Sequence, residues 1–492
     1  MFALLLLMAA SAAATEYDLG PEFGGDLCYA QPFEEPITNN AEFVNDITAM
    51  VREKIPERVV HAKGTGAFGY FELTHDMSRY CRADFLRGVG KRTPVAVRFS
   101  TGAGERGSSD FIRDTRGFAV KFYTKEGNCD MVGFHTEMYF YSDPHRFTTV
   151  VHGVKKKPDS GMYDYDTYFD AITELPETCN FFVNLYSSHG IPLNYRHMPG
   201  FPIHTYQLVN SCGEYYFSRF HYMPDLGVKT LKTMDALTLS STDPDYSVRD
   251  LYEAIQRGDY PSWTVYAQIL TMKDVKKHGA KVFDVTRSLS IDDFPLLKIG
   301  KLVLNKNAKH FDKEIDQLAM NPGNVVNGIL GAPDKLFESR SFLYRDAQYH
   351  RLGKNHNKIP VNCPLHKILT YNRDGMYPVG DNEGSAPNYY PNTFGGPQPF
   401  TPAWPSNCTR KYRKEGLIQI TESPAYNSDQ IVEFYNQLTD EGRQILCDNL
   451  VMVLKTTSPR IQKKSVYLFG KVHEDLARRL AKGFNSTVSN YE

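Results

Sequence analysis

From about Val59 to Leu304 the chain carries short runs in which apolar and polar positions alternate. PVAVRFST (94–101), GFAVKFYT (117–124), TYQLVN (205–210), EYYFSRFHYM (214–223), SWTVYAQIL (262–270) and KIGKLVLN (298–305) are rich in β-branched and aromatic residues, and Gly and Pro clusters separate them. Alternation with a period of two marks strands with one buried face. Six or more such strands in one region predict a closed antiparallel barrel. Helical periodicity interrupts it at Ser247–Arg257. Ahead of the barrel, residues 16–56 are polar and turn-rich, with a helical patch at Glu42–Lys54, and read as an arm. Beyond it, residues 305–420 show little regular periodicity and include NYYPNTFGGPQPFTPAWP. A segment of that length with so many aromatics reads as wrapped on another surface rather than disordered. From Asp429 to about Ala481 the helical period returns in three runs, with Ser428 or Asp429 placed to cap the first. The pattern as a whole predicts an α+β protein: an arm at 15–56, a barrel at 57–304, a wrapping segment at 305–420 and a helical region at 421–492.

Composition changes this picture modestly. The 492 residues are 41% hydrophobic, enough for a large core. A formal net charge of −1 leaves no electrostatic footprint for nucleic acid or an anionic membrane. The 31 Tyr and 30 Phe fit strand packing or a pocket for a flat apolar ligand. The opening MFALLLLMAASAAATEY reads as a secretory signal peptide over residues 1–14, with an A-x-A-like site at Ala12–Ala14. Its apolar run is too short to span a bilayer. Sequons at Asn407 and Asn485 agree with a secreted, glycosylated chain. Eight cysteines without a CxxC pair allow one or two bridges but no disulfide scaffold.

Chemistry enters at FESRSFLYRDAQYHRLG. Arg340 precedes Tyr344 by four residues, so a helix would put them on one face. A guanidinium beside a phenol favours the phenolate, and an anionic Tyr is a hard oxygen ligand suited to ferric haem. An ordinary surface pair would show the same spacing. Upstream, ERVVHAKGTGAFGYFELTHD places His61 between an apolar pair and a Gly-rich turn, where a histidine can take and return a proton.

These segments, with VRFSTGAGERGSSDFIRDTRGFAVKFYT, HYMPDLGVK, DPDYSVRDLYEAI, YPSWTVYAQ, IGKLVLNKN, IPVNCPL, NYYPNTF and IQKKSVYLFGKVHEDLARRL, closely resemble the haem catalase family in content and order. The resemblance runs from about Ile37 to the last helices. It implies the catalase fold: an eight-stranded antiparallel barrel with interlaced arms in a homotetramer. It implies ferric haem b held by Tyr344, with Arg340 stabilising the phenolate and His204 and Asp334 behind that arginine. Arg58, Arg98 and Arg351 match the propionate-binding arginines, a role suited to guanidinium geometry. His61 matches the distal histidine, Ser100 its orienting partner, Phe147 the aromatic beside the haem, and Asp114 the acidic residue of the main channel.

The chain departs from the family pattern at three places. Gly-Phe-His-Thr-Glu replaces Gly-Asn-Asn-Thr-Pro, so Phe134 stands where the distal amide donor is expected. His135 occupies the neighbouring position, and strand parity should turn it away from the site. Gly102 replaces a channel valine, which would admit a larger substrate. At the positions that hold NADPH in the family stand Asn180, His189, Pro199 and Met223, and LSI (Leu289–Ile291) replaces a Trp-Pro-His turn; no bound NADPH is predicted. The expected function is therefore a secreted catalase or peroxidase acting on hydrogen peroxide with a weakened distal site. The alternatives are an enzyme for organic hydroperoxides and a non-catalytic haem carrier.

Overall fold

The structure is a computed structural model that describes residues 37–366, 371–378, 380–397, 418 and 428–490. The expected leader at 1–14 and the sequon at Asn407 lie outside the described residues. The chain divides into two units, Met1–Ile55 and Pro56–Glu492. The described part of the first contains helix α1 (Ala41–Arg52), where the patch at Glu42–Lys54 was expected. The Asn40 side chain caps it by accepting the Phe43 N–H.

In the second unit eight antiparallel strands form one curled sheet. They are β1 (Gly64–Leu73), β2 (Arg92–Thr101), β3 (Arg116–Thr124), β4 (Gly127–Phe134), β5 (Tyr206–Val209), β6 (Tyr215–Pro224), β7 (Ser262–Thr271) and β8 (Leu297–Asn307). Their order is β4-β3-β2-β1-β8-β7-β6-β5. Among the described residues no ladder closes the ring. The segment around Phe201 joins the edges by single bridges, Phe134 to Phe201 and Gly200 to Tyr222. All six alternating runs are strands. Two strands lack that signature. In β1 the glycines are steric necessities: a Cβ on Gly64, Gly66 or Gly69 would lie 2.2, 2.5 or 1.8 Å from a carbonyl oxygen of the adjoining strand. β4, GNCDMVGF, mixes turn formers with a fully buried ion pair, Asp130 to Lys121 at 2.8 Å.

Alternation sorts the side chains by face. Val95, Val97, Phe99, Phe118, Val120, Tyr222, Trp263 and Leu302 fill the concave interior. Ala96, Arg98 and Ser100 of β2 point the other way, as do Ala119 and Val132, and the helix Lys335–Leu352 packs on that outer face. Register then aligns Ser100 with Gly117 and Gly117 with Phe134, and in the next row Arg98 with Ala119 and Ala119 with Val132. Three strands thus present a two-row patch on which a site can be built.

The helices after β4 are α2 (Phe147–Val154), α3 (Tyr165–Thr173), α4 (Cys179–Tyr186), α5 (Thr233–Thr242), α6 (Tyr246–Arg257) and α7 (Met272–His278). α8 (Lys335–Leu352) lies inside the segment expected to have little regular structure. It lacks an amphipathic stripe because Arg340, Gln348 and Arg351 are buried beside Leu336 and Phe337. The C-terminal helices are α9 (Asp429–Gln437), α10 (Asp440–Leu454), α11 (Pro459–Gly470) and α12 (Glu474–Gly483), which share a second core with α3 and α4 through Phe169, Phe181, Leu446, Leu450, Phe469 and Leu476. The last helical run of the sequence is two helices, broken where the His473 ring accepts the Asp475 N–H. Ser428 makes no side-chain cap, and Asp429 binds Arg287 at 2.6 Å instead.

Candidate active site

His61 follows a short extended segment and sits in the left-handed region, φ 62°. Such strain in a non-glycine residue costs about 1–3 kcal/mol and is held only by its surroundings. Three contacts hold it. Its N–H donates to Gly102 O at 2.7 Å, and its Nδ1 lies 2.9 Å from both the Thr101 carbonyl and Ser100 Oγ. The carbonyl can only accept, so Nδ1 carries the proton and Nε2 is the basic nitrogen. Gly117 lies beneath the ring, where a Cβ would stand 2.8 Å from His61 Nδ1 and 2.5 Å from Ser100 Oγ. Burial, and then the Arg98 charge, pull the His61 pKa down to about 3. The imidazole is neutral at physiological pH and can act as a base.

Asp334, Arg340 and Tyr344 lie at one end of α8 and along it. Asp334 Oδ1 caps the helix by accepting the Phe337 N–H at 2.8 Å. Its Oδ2 accepts the His204 Nδ1 proton at 2.9 Å, and Arg340 donates to His204 Nε2 at 2.7 Å. The other Arg340 nitrogen reaches Val132 O at 3.0 Å and Tyr344 Oη at 3.2 Å. Burial works against the Arg340 charge, but Tyr344 and Tyr139 more than compensate and raise its pKa. The i, i+4 pair is therefore a buried relay, not a surface pair.

Arg58, Arg98 and Arg351 converge on the same cavity, of about 120 Å³, which His61, Phe147, Val132, Met320 and Tyr344 also line. Burial and mutual repulsion lower the Arg58 pKa; burial is the leading cause for Arg98, at about 10, and for Arg351. The carboxylate Asp316, on a single π-helical turn (Asp312–Asp316), pairs with Arg58 at 3.3 Å and with Arg106. Arg98 Nε is buried without a hydrogen-bond partner. Three buried guanidinium groups around one shared carboxylate leave room for further anions.

Phe134 ends β4 at the other wall. Its ring centroid is 5.8 Å from that of His61, and it stacks on Tyr139 at 5.3 Å. Its backbone exchanges hydrogen bonds with Phe201 at 3.0 and 2.8 Å. His135 faces away, as parity requires: its Nδ1 accepts the Arg116 N–H at 3.0 Å. Burial brings its pKa to about 3 as well. Asp114 lines a second, larger cavity, and its Oδ2 accepts the N–H groups of Gly102, Ala103 and Gly104 at 2.8, 2.6 and 3.2 Å. Gly102 lines that cavity too, but a Cβ there would press on Asp114 Oδ1 at 3.0 Å and Thr115 O at 3.2 Å. Glycine at 102 thus serves the turn as well as the opening. Asn485 is exposed after α12. Thr101 and Gly117 carried no signal of their own in the sequence, because one acts through its carbonyl and the other through a missing side chain. Tyr139 was missed because its contact with Arg340 crosses from the end of β4 to α8.

Similarity to known proteins agrees with this geometry. The catalase family profile matches residues 31–396, and a catalase-related immune-responsive profile matches 422–484. Catalase of Sus scrofa is 44% identical over 447 residues, covering 90% of this chain and 84% of that protein. Catalase of Methanosarcina barkeri is 42% identical over 460 residues, covering 93% and 90%. A fungal catalase crystal structure superposes with a TM-score of 0.85 at 33% identity, covering 95% of this chain and 94% of that one. A fold of this kind, with a buried Tyr–Arg–His–Asp relay behind a basic pocket, defines a class of haem-site oxidoreductases. The chain belongs to the catalase family.

The buried histidines set an acid limit on stability. His61 and His135 titrate near 3 and His221 near 4 in the folded chain, because burial disfavours their charge, against an ordinary value of 6.5. Between pH 6.5 and 4 the unfolded chain binds protons that the folded chain does not, so stability falls as pH falls. Asp110, Asp114 and Glu137, raised chiefly by burial, oppose this at the lower end. Denaturant midpoints are expected to be flat above pH 7 and to drop from pH 6.5 to 5. Three neutral histidines contribute up to about 4 kcal/mol per pH unit. A midpoint unchanged from pH 7 to 5 would show that these rings charge in place.

Proposed function

We propose that the protein is a haem-dependent catalase that converts two hydrogen peroxide molecules to two waters and oxygen, with a weakened distal site. One observation carries this reading: a neutral, oriented His61 and Tyr344, which is backed by the Arg340–His204–Asp334 relay, line one cavity on which Arg58, Arg98 and Arg351 converge. Tyr344 would hold the haem iron, with Arg58, Arg98 and Arg351 on the propionates and Phe147 beside the ring. Haem, when bound, would supply a redox centre able to give up two electrons to one peroxide and recover them from a second. His61 Nε2 takes the proton from one peroxide oxygen and returns it to the other, so that water can leave. Ser100 Oγ and Thr101 O keep Nδ1 protonated and Nε2 free for this work. A proton shuttle in this position favours an enzyme over a passive haem carrier.

Phe134 withholds the hydrogen bond that a distal amide would give to the peroxide. One preorganised donor in a dry site is worth about 10²–10³ in rate. Phe134→Asn is therefore expected to raise oxygen evolution by about 10–100-fold at equal haem content, measured polarographically. An unchanged rate would mean that the distal amide does not limit turnover. The strand should tolerate the change, since Phe134 is held through its backbone by Phe201.

A second reading, turnover of organic hydroperoxides, is favoured by the larger apolar cavity, of about 450 Å³, that meets the haem pocket at His61 and Phe147. We infer no NADPH binding, since the residues do not fit it. Asn180 donates to Thr286 O at 2.9 Å, the His189 ring lies against Phe434, and Pro199 and Met223 offer no cation for phosphate. Secretion is supported by Cys212, which is disulfide-bonded, and by the exposed sequon at Asn485. A homotetramer follows from the resemblance. N-terminal sequencing of the exported chain and light scattering check both.

A further inference from the structure

We propose that the 450 Å³ cavity is a binding site for an anionic amphiphile, an apolar chain or ring system bearing one carboxylate. Its hydroperoxide would be the substrate form, which rests on the organic-peroxide reading above. The volume lies within the roughly 300–1,000 Å³ typical of small-molecule sites. The wall is aromatic: Phe134, Tyr139, Phe140, Phe181, Phe182 and Tyr186 line it. Phe134, Tyr139 and Phe140 form a stacked shelf, with centroids 5.3 and 4.3 Å apart, that begins beside His61. A small polar peroxide gains nothing from such a surface, whereas a hydrocarbon body gains about 25 cal/mol for each Å² it buries.

The charge of the lining fixes the other end of the ligand. Arg113 makes no ion pair among the described residues. Its guanidinium donates to Leu185 O at 2.7 Å, Ser187 O at 3.3 Å and Thr233 Oγ1 at 2.7 Å, and lies 5.7 Å from the Tyr186 ring centroid. Burial is the first cause of its lowered pKa, about 10, and no carboxylate offsets it. Lys155, at the end of α2, has no acidic partner among the described residues. The two carboxylates of the lining are already engaged. Asp114 is held by three backbone N–H groups, and Asp164 lies 3.5 Å from Lys157 while capping α3. An apolar cavity with two uncompensated cations and no free anion selects a negatively charged amphiphile over a neutral or cationic one. Exposed Tyr163, Leu237 and Met452 mark where it opens to solvent.

The test is calorimetric titration of the full-length holoprotein with dodecanoate, dodecan-1-ol and acetate. Dodecanoate is expected to bind at least about 10-fold more tightly than the alcohol, and acetate not to bind below about 1 mM. Arg113→Met and Lys155→Met should each weaken dodecanoate severalfold while leaving the alcohol unchanged. The partly exposed Lys155 keeps the test valid should the Arg113 variant misfold. Equal affinity for acid and alcohol, or dodecanoate binding that neither variant changes, would overturn the proposal. Turnover of a dodecanoic hydroperoxide is measured separately. Binding without turnover upholds the site and removes the organic-peroxide reading.

Discussion

Replacing His61 by asparagine is expected to lower oxygen evolution from hydrogen peroxide by about 10²–10⁴-fold, the usual contribution of a positioned general base. Asparagine is the informative choice because the residue sits at φ 62°. Asparagine tolerates that conformation better than alanine does, so the backbone bond to Gly102 O should survive. The loss would then report the missing proton acceptor rather than a collapsed loop. Haem content should stay at the parental level, since the proximal relay and the three arginines are untouched. The measured pH profile of the parent should be flat above about pH 5, because an imidazole held near 3 does not titrate there. A His61→Asn variant that keeps a tenth or more of the activity would place the proton transfer elsewhere, and His135 could not be that place while its Nδ1 accepts the Arg116 N–H.

The proximal side predicts an equally large effect. Tyr344→Phe removes the oxygen that Arg340 donates to at 3.2 Å. The phenyl ring fills nearly the same space, so the packing cost is small. The chemical cost is not small: the candidate iron ligand is gone, and a buried guanidinium loses the partner that held its charge. Haem occupancy is expected to fall sharply, and turnover by at least about 100-fold, the scale on which loss even of outer-shell support acts at metal sites. Tyr344→His restores a ligand with different donor strength. It should recover haem, seen as a shifted absorption band, without recovering the rate. Full haem occupancy and activity in Tyr344→Phe would show that the iron is held by another residue.

The sequence was legible where one physical rule governed a stretch. Six strands announced themselves because a curled sheet with a filled interior imposes strict alternation. The same alternation correctly sent His135 away from the site and left Phe134 in it. β1 was hidden because its glycines answer to the closeness of adjoining carbonyls, which leaves no pattern of side chains. α8 was hidden because it buries arginines and a glutamine, and so reads as polar throughout. The barrel closes less completely than alternation alone suggests, because among the described residues β4 and β5 do not pair with each other and a loop at Phe201 spans the gap. The grouping of Tyr344, Arg340, His204 and His61 was legible through resemblance, and their contacts follow from register and helix geometry. The aromatic cavity was not legible, because its wall is assembled from β4, α2–α5 and α10, far apart in sequence.

Asp334 has a consequence beyond the relay. One of its oxygens starts α8 and the other steadies His204, whose ring in turn receives Arg340. The first turn of the helix and the hydrogen bond that Arg340 gives to Tyr344 are therefore thermodynamically linked. Whatever loosens the helix start also loosens the hold of Arg340 on the Tyr344 oxygen, and whatever tightens that hold steadies the helix. A single carboxylate makes the folding of a helix and the grip on a buried phenol oxygen two readings of one equilibrium.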